Sequence, residues 1–343
     1  MTPPATIVPD ASPRPVLDQH RSVLDRPVRF FFVTGARRSG TSLLTAMLNT
    51  HPEAYCCNEG WLVNGFGSGA ECWIDPERFG AWSSLGGASG GWLRNIPVSD
   101  ARMIAARGAV EALMREAAAR EPWKNPARVR VIGDKSVEHY CHGAETLWRL
   151  FPEAKYIHML RDGRDVAVSE MFLRFRHDDF EAFGAGAEQA RRAKEAWFGG
   201  KTGGQAASAT ANEPLFNEES LGVLASSWAS AVRSARQASG LFGDRYCEVR
   251  YEDLLLGASP LAGVLDFLGV AGDDAQAGAC ADEARFERHS GGRKPGEEDP
   301  SSDLRMGVAG DWKRFFTDRD REVFREAAGG VLAELGYETG GGG

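Results

Sequence analysis

Gly35-Ala-Arg-Arg-Ser-Gly40-Thr41-Ser42 places two arginines and three hydroxyl side chains on and beside a loop with a glycine near each end. A loop of this G-x-x-x-x-G spacing, set between a strand and a helix, cradles phosphate: its backbone N–H groups and the helix dipole converge on an anion. The lysine that follows the second glycine in nucleoside triphosphatases is Thr41 here. That lysine reaches the β- and γ-phosphates, so its absence argues against ordinary ATP hydrolysis. The cations sit earlier, at Arg37 and Arg38. Arg38 is the candidate for a fixed charge that stabilises an anionic leaving group without a metal. A tight strand-to-helix turn carrying surface arginines is the plain alternative, and a glycine loop alone does not separate the two.

Such a loop needs a strand before it and a helix after it. Val28–Thr34 (VRFFFVT) is an apolar, aromatic and β-branched run ending at Gly35, and Thr41–Leu48 continues as a compact helical segment. Arg130–Ile132 and Lys155–Leu160 (KYIHML) read as further strands, with a helical pattern over Ala144–Phe151 between them. After Asp162, a natural N-cap, Val168, Met171, Phe172 and Phe175 fall on one helical face. Leu224, Trp228, Ala231 and Val232 repeat that period, Arg245–Arg250 (RYCEVR) reads as a strand, and Asp318–Leu335 as a last helix. This β-α-β rhythm predicts an α/β fold with a mostly parallel central sheet flanked by helices, and the glycine loop makes it a P-loop-like three-layer sandwich. A single domain is expected over 28–337, between a flexible leader (1–27) and a glycine tail (338–343). Insertions are expected near 60–95, 184–220 and 290–303, where glycine is frequent beside tryptophan, alanine or acidic residues.

At 343 residues and 43% hydrophobic content the chain can bury one large core. A formal net charge of -8 argues against general affinity for nucleic acid or anionic membrane, so phosphate binding must rest on a few placed arginines. Met1–Asp25 holds no apolar run of secretory length, and no later stretch approaches the roughly 20 apolar residues that span a bilayer. No integral membrane segment and a cytoplasmic location are the expectations. Six cysteines scattered without a C-x-x-C pair fit a reducing compartment rather than a disulfide frame. His139 and His142 are the one Cys/His pair with ligand spacing, and no metal is expected.

Phe32-Val-Thr-Gly-Ala-Arg-Arg-Ser-Gly-Thr-Ser-Leu resembles the 5'-phosphosulfate loop of sulfotransferases that use 3'-phosphoadenosine 5'-phosphosulfate (PAPS). Leu160-Arg161-Asp-Gly-Arg-Asp-Val-Ala-Val-Ser169 resembles the 3'-phosphate motif of that family, with an arginine at a strand end and a serine in the next helix. Arg305-Met-Gly307-Val-Ala-Gly310-Asp311-Trp312-Lys313 is similar to its C-terminal segment, which closes over the nucleotide. The resemblance implies an enzyme that moves a sulfuryl group from PAPS to an acceptor hydroxyl, leaving 3'-phosphoadenosine 5'-phosphate (PAP) and a sulfate ester. It implies that Arg38, Ser39, Gly40, Thr41 and Ser42, with Arg37 beside them, hold the 5'-phosphosulfate. Arg161, Ser169, Arg305 and Gly307 would hold the 3'-phosphate, and Tyr251, in Arg-Tyr-Glu-Asp-Leu, would lie near the adenine. An arginine fork and a serine hydroxyl suit a terminal phosphate, each charged hydrogen bond contributing ~1.5 to 3 kcal/mol. Taken alone, Arg161-Asp-Gly-Arg-Asp is also an ordinary capped helix start.

An acceptor hydroxyl needs a general base close to the donor loop. Small-molecule sulfotransferases of the cytosolic type carry a histidine in a Lys-Thr-His stretch, but the matching run here is Lys135-Ser136-Val137. The spacing around His51-Pro52-Glu53 instead resembles tyrosylprotein-type and bacterial relatives, in which a glutamate lies about twenty residues beyond the loop arginine; that position is Glu59. A carboxylate can serve if partial burial, by Trp61 and other apolar neighbours, raises its pKa toward neutrality. His139 or His142 is the alternative base. Lys135 aligns with a lysine that reaches the transferring sulfuryl group in related enzymes and offsets charge on its oxygens, with Asp134 placed to orient it.

Trp61, Trp73, Trp82 and Trp92 suit a flat or greasy acceptor wall as well as they suit core packing. Their stretch has no basic cluster to meet an acidic peptide, so a small-molecule, lipid-like or sugar acceptor is expected. An amine acceptor would leave the same donor motifs. Two rival functions remain: a P-loop nucleotide kinase or other phosphotransferase, which would need magnesium and a Walker-type lysine, and a non-catalytic protein that binds PAPS or PAP with Glu59 and Lys135 dispensable.

Overall fold

Phe30 and Phe32 point to one face of the first strand and Phe31 and Val33 to the other, and all four are buried. One apolar run thus anchors two core layers, as expected of a strand covered on both sides. The computed structural model describes residues 26–60, 98–198, 214–270 and 272–337. The strands are β1 (Arg29–Gly35), β2 (Ala54–Asn58), β3 (Val131–Lys135), β4 (Lys155–Leu160) and β5 (Tyr246–Arg250). The longer helices are α1 (Thr41–Thr50), α2 (Val98–Arg120), α3 (Ala144–Leu150), α4 (Gly163–His177), α5 (Ala187–Phe198), α6 (Glu218–Gln237), α7 (Ser259–Leu268), α8 (Asp274–Glu283) and α9 (Asp318–Glu334).

The sheet order is β2-β3-β1-β4-β5, and every neighbouring pair is parallel. Leu44 and Leu48 of α1, Leu261 and Leu265 of α7 and Cys280 of α8 cover the face that carries Phe31 and Val33. Val110 and Met114 of α2 and Leu147 of α3 cover the other. A third cluster joins α4, α5, α6 and α9 around Phe172, Trp228 and Phe324. The molecule is an α/β sandwich with helices on both faces of a parallel sheet.

Two local readings change. β3 extends to Lys135 instead of stopping at Ile132, and every one of its residues is buried. Gly133-Asp-Lys looks polar in sequence, yet a Cβ at Gly133 would collide with the Phe31 ring, so the glycine lets β3 pass that ring. The insertion expected over 184–220 contains α5 and the start of α6. Its alanines are strong helix formers: Ala190 and Ala193 enter the third cluster with Trp197 packed against it. A capping box between Asn217 and Ser220 starts α6. The leader to residue 25, Trp61, Trp73, Trp82 and Trp92 with most of the insertion they mark, Cys72 and the glycine tail lie outside the described residues. Among the described residues Cys56, Cys57, Cys141, Cys247 and Cys280 form no disulfide. Among the described residues no helix is long and apolar enough to cross a membrane.

Asp162 caps α4, its side chain accepting from the Arg164 N–H. Asp165, one turn in, accepts the amides of Gly310 at 2.6 Å and Trp312 at 2.8 Å, and the Arg164 guanidinium lies 3.8 Å from the Trp312 ring centroid. The C-terminal segment is therefore fastened to α4. Asp165→Ala is expected to lower stability by about 3 kcal/mol, since two charge-assisted bonds are lost and two amides are left unpaired. The check is a urea unfolding midpoint at unchanged slope; an unaltered midpoint would mean that packing alone holds the segment.

Candidate active site

The parallel strands bring the C-terminal ends of β2, β3, β1 and β4 to one edge, with β1 at the point where the strand order reverses, the usual place for a ligand in an open α/β sheet. Register then distributes the candidate residues. Val33 of β1 pairs with Lys135, and Lys135 pairs with Asn58 of β2, so Glu59 emerges directly beside Lys135. On the other flank Gly35 pairs with Met159 of β4, two residues before Arg161.

The loop between β1 and α1 is tightly held. A Cβ at Gly35 would lie 2.5 Å from Ser39 Oγ and 2.6 Å from the Met159 carbonyl oxygen. Gly40 has φ 94°, and a Cβ there would strike the Tyr251 ring, which packs directly on the loop. Leu43 and Leu44 both donate to Gly40 O, so the amides of Thr41 and Ser42 precede the helix's own bonds and belong to the donors a helix start leaves free for an anion. Ser39 Oγ is buried without a hydrogen-bond partner among the described residues.

One flank gathers guanidinium groups. Arg38, at φ 64°, donates through Nε to Ser169 Oγ (3.0 Å) and through Nη2 to Asp303 O (2.7 Å). Arg161 donates to Arg38 O (3.0 Å) and Val308 O (3.2 Å), and its guanidinium carbon sits 4.3 Å from the Tyr251 ring centroid. Arg161 Nε is buried and has no partner among the described residues. Burial pulls the Arg38 pKa down, opposed by the nearby Glu170 carboxylate. Glu170 is itself buried, which pushes its pKa up, and it pairs with Arg37 (3.3 Å) and Arg174 (3.2 Å). Arg37 is thus turned toward Glu170, while Arg38, Arg161, Ser169 and Tyr251 form one group.

Arg305 does not join them. Its guanidinium is ion-paired with Glu298 and Asp311 and lies 4.6 Å from the Phe172 ring centroid, inside the segment that follows α8. Gly307 has φ 66°, and a Cβ there would strike Phe286; it carries the chain from Arg305 to the Val308 carbonyl that Arg161 holds.

The opposite flank pairs charge with charge. Lys135 Nζ lies 2.5 Å from Glu59 Oε1 and 3.4 Å from Ser42 Oγ. The lysine side chain is 2% exposed and that of the glutamate 30%, so the pair stands at the rim of the core. Glu59 Oε2 is buried and has no hydrogen-bond partner among the described residues. Asp134 does not orient Lys135 as expected: successive strand residues face opposite ways, and Asp134 accepts from the Gly60 amide (2.9 Å) and the Tyr140 hydroxyl. Burial raises its pKa to about 6. His139 and His142 are exposed on the short helix after β3. Trp61, expected to shield Glu59, lies outside the described residues.

Several groups that hold the site escaped the sequence reading. Glu252, beside Tyr251, accepts from the Asp162 amide (2.9 Å) and the Tyr337 hydroxyl (3.1 Å), tying the turn after β4 to the C-terminus. Glu170 had one visible signal, Arg174 four residues on. Among the described residues no group of three or more His, Cys, Asp or Glu side chains is arranged to hold a metal ion. In chemical terms, one flank offers fixed cations and a hydroxyl to a multiply charged anion, the centre offers amides, and the other flank offers a carboxylate for a proton beside a buried ammonium.

The chain spans about a third of the length of one curated relative, Protein-tyrosine sulfotransferase A of Caenorhabditis elegans. The two are 30% identical over 143 residues, 41% of this chain and 32% of that protein. Among solved structures, the sulfotransferase domain from the Synechococcus PCC 7002 olefin synthase aligns over 91% of this chain and 96% of its own, at 18% identity and TM-score 0.46. Mouse sulfotransferase SULT7A1 complexed with PAP aligns over 93% of this chain and 89% of its own, at 15% identity and TM-score 0.45. Two family models match more than half of the chain each: Sulfotransferase family over residues 31–213 and Sulfotransferase domain over residues 142–336. Between them they take in the glycine loop, both flanks of the site and the fastened C-terminal segment, and the chain belongs to the sulfotransferase family.

Proposed function

We propose that this chain transfers a sulfuryl group from PAPS to a hydroxyl of a small-molecule, lipid-like or sugar acceptor, leaving PAP and a sulfate ester. The observation that carries the reading is the split of the site: Arg38, Ser169, Arg161 and Tyr251 gather on one side of the glycine loop, and the Lys135–Glu59 pair stands on the other. A donor with a nucleotide end and a reacting sulfuryl end suits that division. The site also has free capacity for an anion. Among the described residues Ser39 Oγ and Arg161 Nε are buried without partners, and the loop has no room for side chains at Gly35 or Gly40.

In this reading the loop amides and Ser39 to Ser42 hold the 5'-phosphosulfate, Arg161 and Ser169 the 3'-phosphate, and Tyr251 the adenine side. The acceptor oxygen attacks sulfur and forms the new O–S bond. The bond from sulfur to the 5'-phosphate oxygen breaks, and its electron pair stays on PAP. The acceptor proton passes to Glu59 Oε2, the carboxylate oxygen without a partner among the described residues. Lys135 offsets charge on the sulfuryl oxygens, and Arg38 offsets the charge that grows on the departing phosphate.

PAP is expected to raise the melting temperature far more than AMP at equal concentration. A ligand at a hundred times its Kd stabilises by about 2.7 kcal/mol, and AMP lacks the phosphate that Arg161 and Ser169 would bind. Equal shifts would overturn the donor assignment, and a response to ATP with magnesium alone would favour a phosphotransferase. The acceptor is tested by offering radiolabelled PAPS with either a small-molecule extract or an acidic tyrosine peptide. Label in the extract supports the proposal; label in the peptide alone would move the acceptor to protein tyrosine, the substrate in the name of the nematode relative.

A further inference from the structure

We propose that Asp134 is a positioning residue for Glu59, acting through the Gly60 amide; the inference rests on the reading of Glu59 as the base. Glu59 has φ 57°, a left-handed backbone that a side-chain-bearing residue adopts only at a cost and only when its neighbours hold it there. Two hydrogen bonds do so. The Glu59 amide donates to Lys135 O (2.8 Å), and the next amide, Gly60, donates to Asp134 Oδ1 (2.9 Å).

Asp134 is well placed to hold this turn because it is itself held. Its side chain is wholly buried, and its second oxygen accepts from the Tyr140 hydroxyl. Tyr140 is in turn fixed by the Tyr156 hydroxyl, which donates to Tyr140 O (2.8 Å), and by an edge-on contact with Phe32 at 5.5 Å between centroids. A chain of contacts therefore runs from the sheet core to the backbone of the base. Gly60 is required for it, since a Cβ there would collide with Asp134 Oδ1. Neighbouring residues of β3 thus grip Glu59 from two sides: Lys135 by its ammonium and carbonyl, Asp134 by the following amide. A charged acceptor makes the stronger bond, so replacing the carboxylate by an amide loosens the turn without freeing it.

The test measures sulfuryl transfer from radiolabelled PAPS to the small-molecule extract for Asp134→Ala, Asp134→Asn and Gly60→Ala, each also in a Glu59→Gln background, with the PAP-induced melting shift as the check on folding. Asp134→Ala is expected to lower kcat by about a hundredfold, the scale of a roughly 1 Å displacement of a catalytic group, with KM for PAPS unchanged. Asp134→Asn should recover most of that loss. Gly60→Ala should reproduce the loss while keeping Asp134, which keeps the proposal testable if Asp134→Ala does not fold. In the Glu59→Gln background Asp134→Ala should lower the residual rate no further, because its effect passes through Glu59. Equal losses in both backgrounds would make Asp134 purely structural and overturn the inference. Full activity of Asp134→Ala beside an inactive Glu59→Gln would overturn it alone. Full activity of Glu59→Gln would overturn the base assignment and this inference with it.

Discussion

Glu59→Gln is expected to lower turnover by about a hundredfold to ten-thousandfold while PAP still raises the melting temperature as in the parent chain. The amide has the volume of the carboxylate and can still accept a hydrogen bond from Lys135, but it cannot take a proton from an attacking hydroxyl. The guanidinium flank, made of Arg38, Arg161 and Ser169, does not touch Glu59, so donor affinity should not follow kcat. One side effect is separable. Lys135 is buried and loses its counter-charge, so the variant should melt lower than the parent even without ligand. Initial rates and PAP melting shifts on the same preparations decide the matter. Undiminished turnover would move the base elsewhere, with His139 and His142 the next variants to make, and a parallel loss of PAP affinity would mean that the loop itself had been disturbed.

How much of the fold was legible follows from which forces were local. The run VRFFFVT, the glycine loop and the helix after it declare themselves by composition and period, and the structure places β1 and α1 within two residues of the expected bounds. The face formed by Val168, Met171, Phe172 and Phe175 is buried as its spacing predicts. What was missed had no such signature. β2 is a short edge strand whose partner, β3, ends in Gly-Asp-Lys, residues that look polar in sequence yet are all buried, with Gly133 packed against the Phe31 ring. α5 lies in a stretch where glycine drew attention and alanine was the better guide.

The site shows the same division. The resemblance to the sulfotransferase motifs singles out Arg38, Arg161, Ser169, Lys135 and Glu59 one by one, in the loop after β1, at or just past the ends of β2, β3 and β4, and in the second turn of α4. Their grouping depends on the strand order, which spacing does not encode: β3 and β2 carry Lys135 and Glu59 to one side of β1, and β4 carries Arg161 to the other. Side-chain direction is less legible still. Arg305, which the resemblance assigns to the 3'-phosphate, is ion-paired with Glu298 and Asp311, and Asp134 reads as a partner of Lys135 until the alternation of β3 turns it toward Gly60. Glu298 and Asp311 lie only seven and six residues from Arg305, but the stretch between them is irregular, with no helical or strand period to place them on its guanidinium.

Lys135→Met is expected to lower kcat by about a hundredfold to a thousandfold, the usual scale for removing one preorganised group that meets charge in a transition state. Methionine keeps most of the apolar stem in a position that is 2% exposed, so the loss is mainly that of the ammonium. Glu59→Gln and Lys135→Met would then look alike with a single acceptor, yet they differ in cause. A base matters less as the acceptor hydroxyl becomes more acidic, because the proton then leaves with less help. Charge on the sulfuryl group and on departing PAP is the same whatever the acceptor. Across a series of hydroxyl acceptors of falling pKa, the penalty of Glu59→Gln should therefore shrink while that of Lys135→Met stays nearly level. If both penalties shrink together, Lys135 acts only by holding Glu59, through the 2.5 Å contact between them, and its assignment to the sulfuryl oxygens fails.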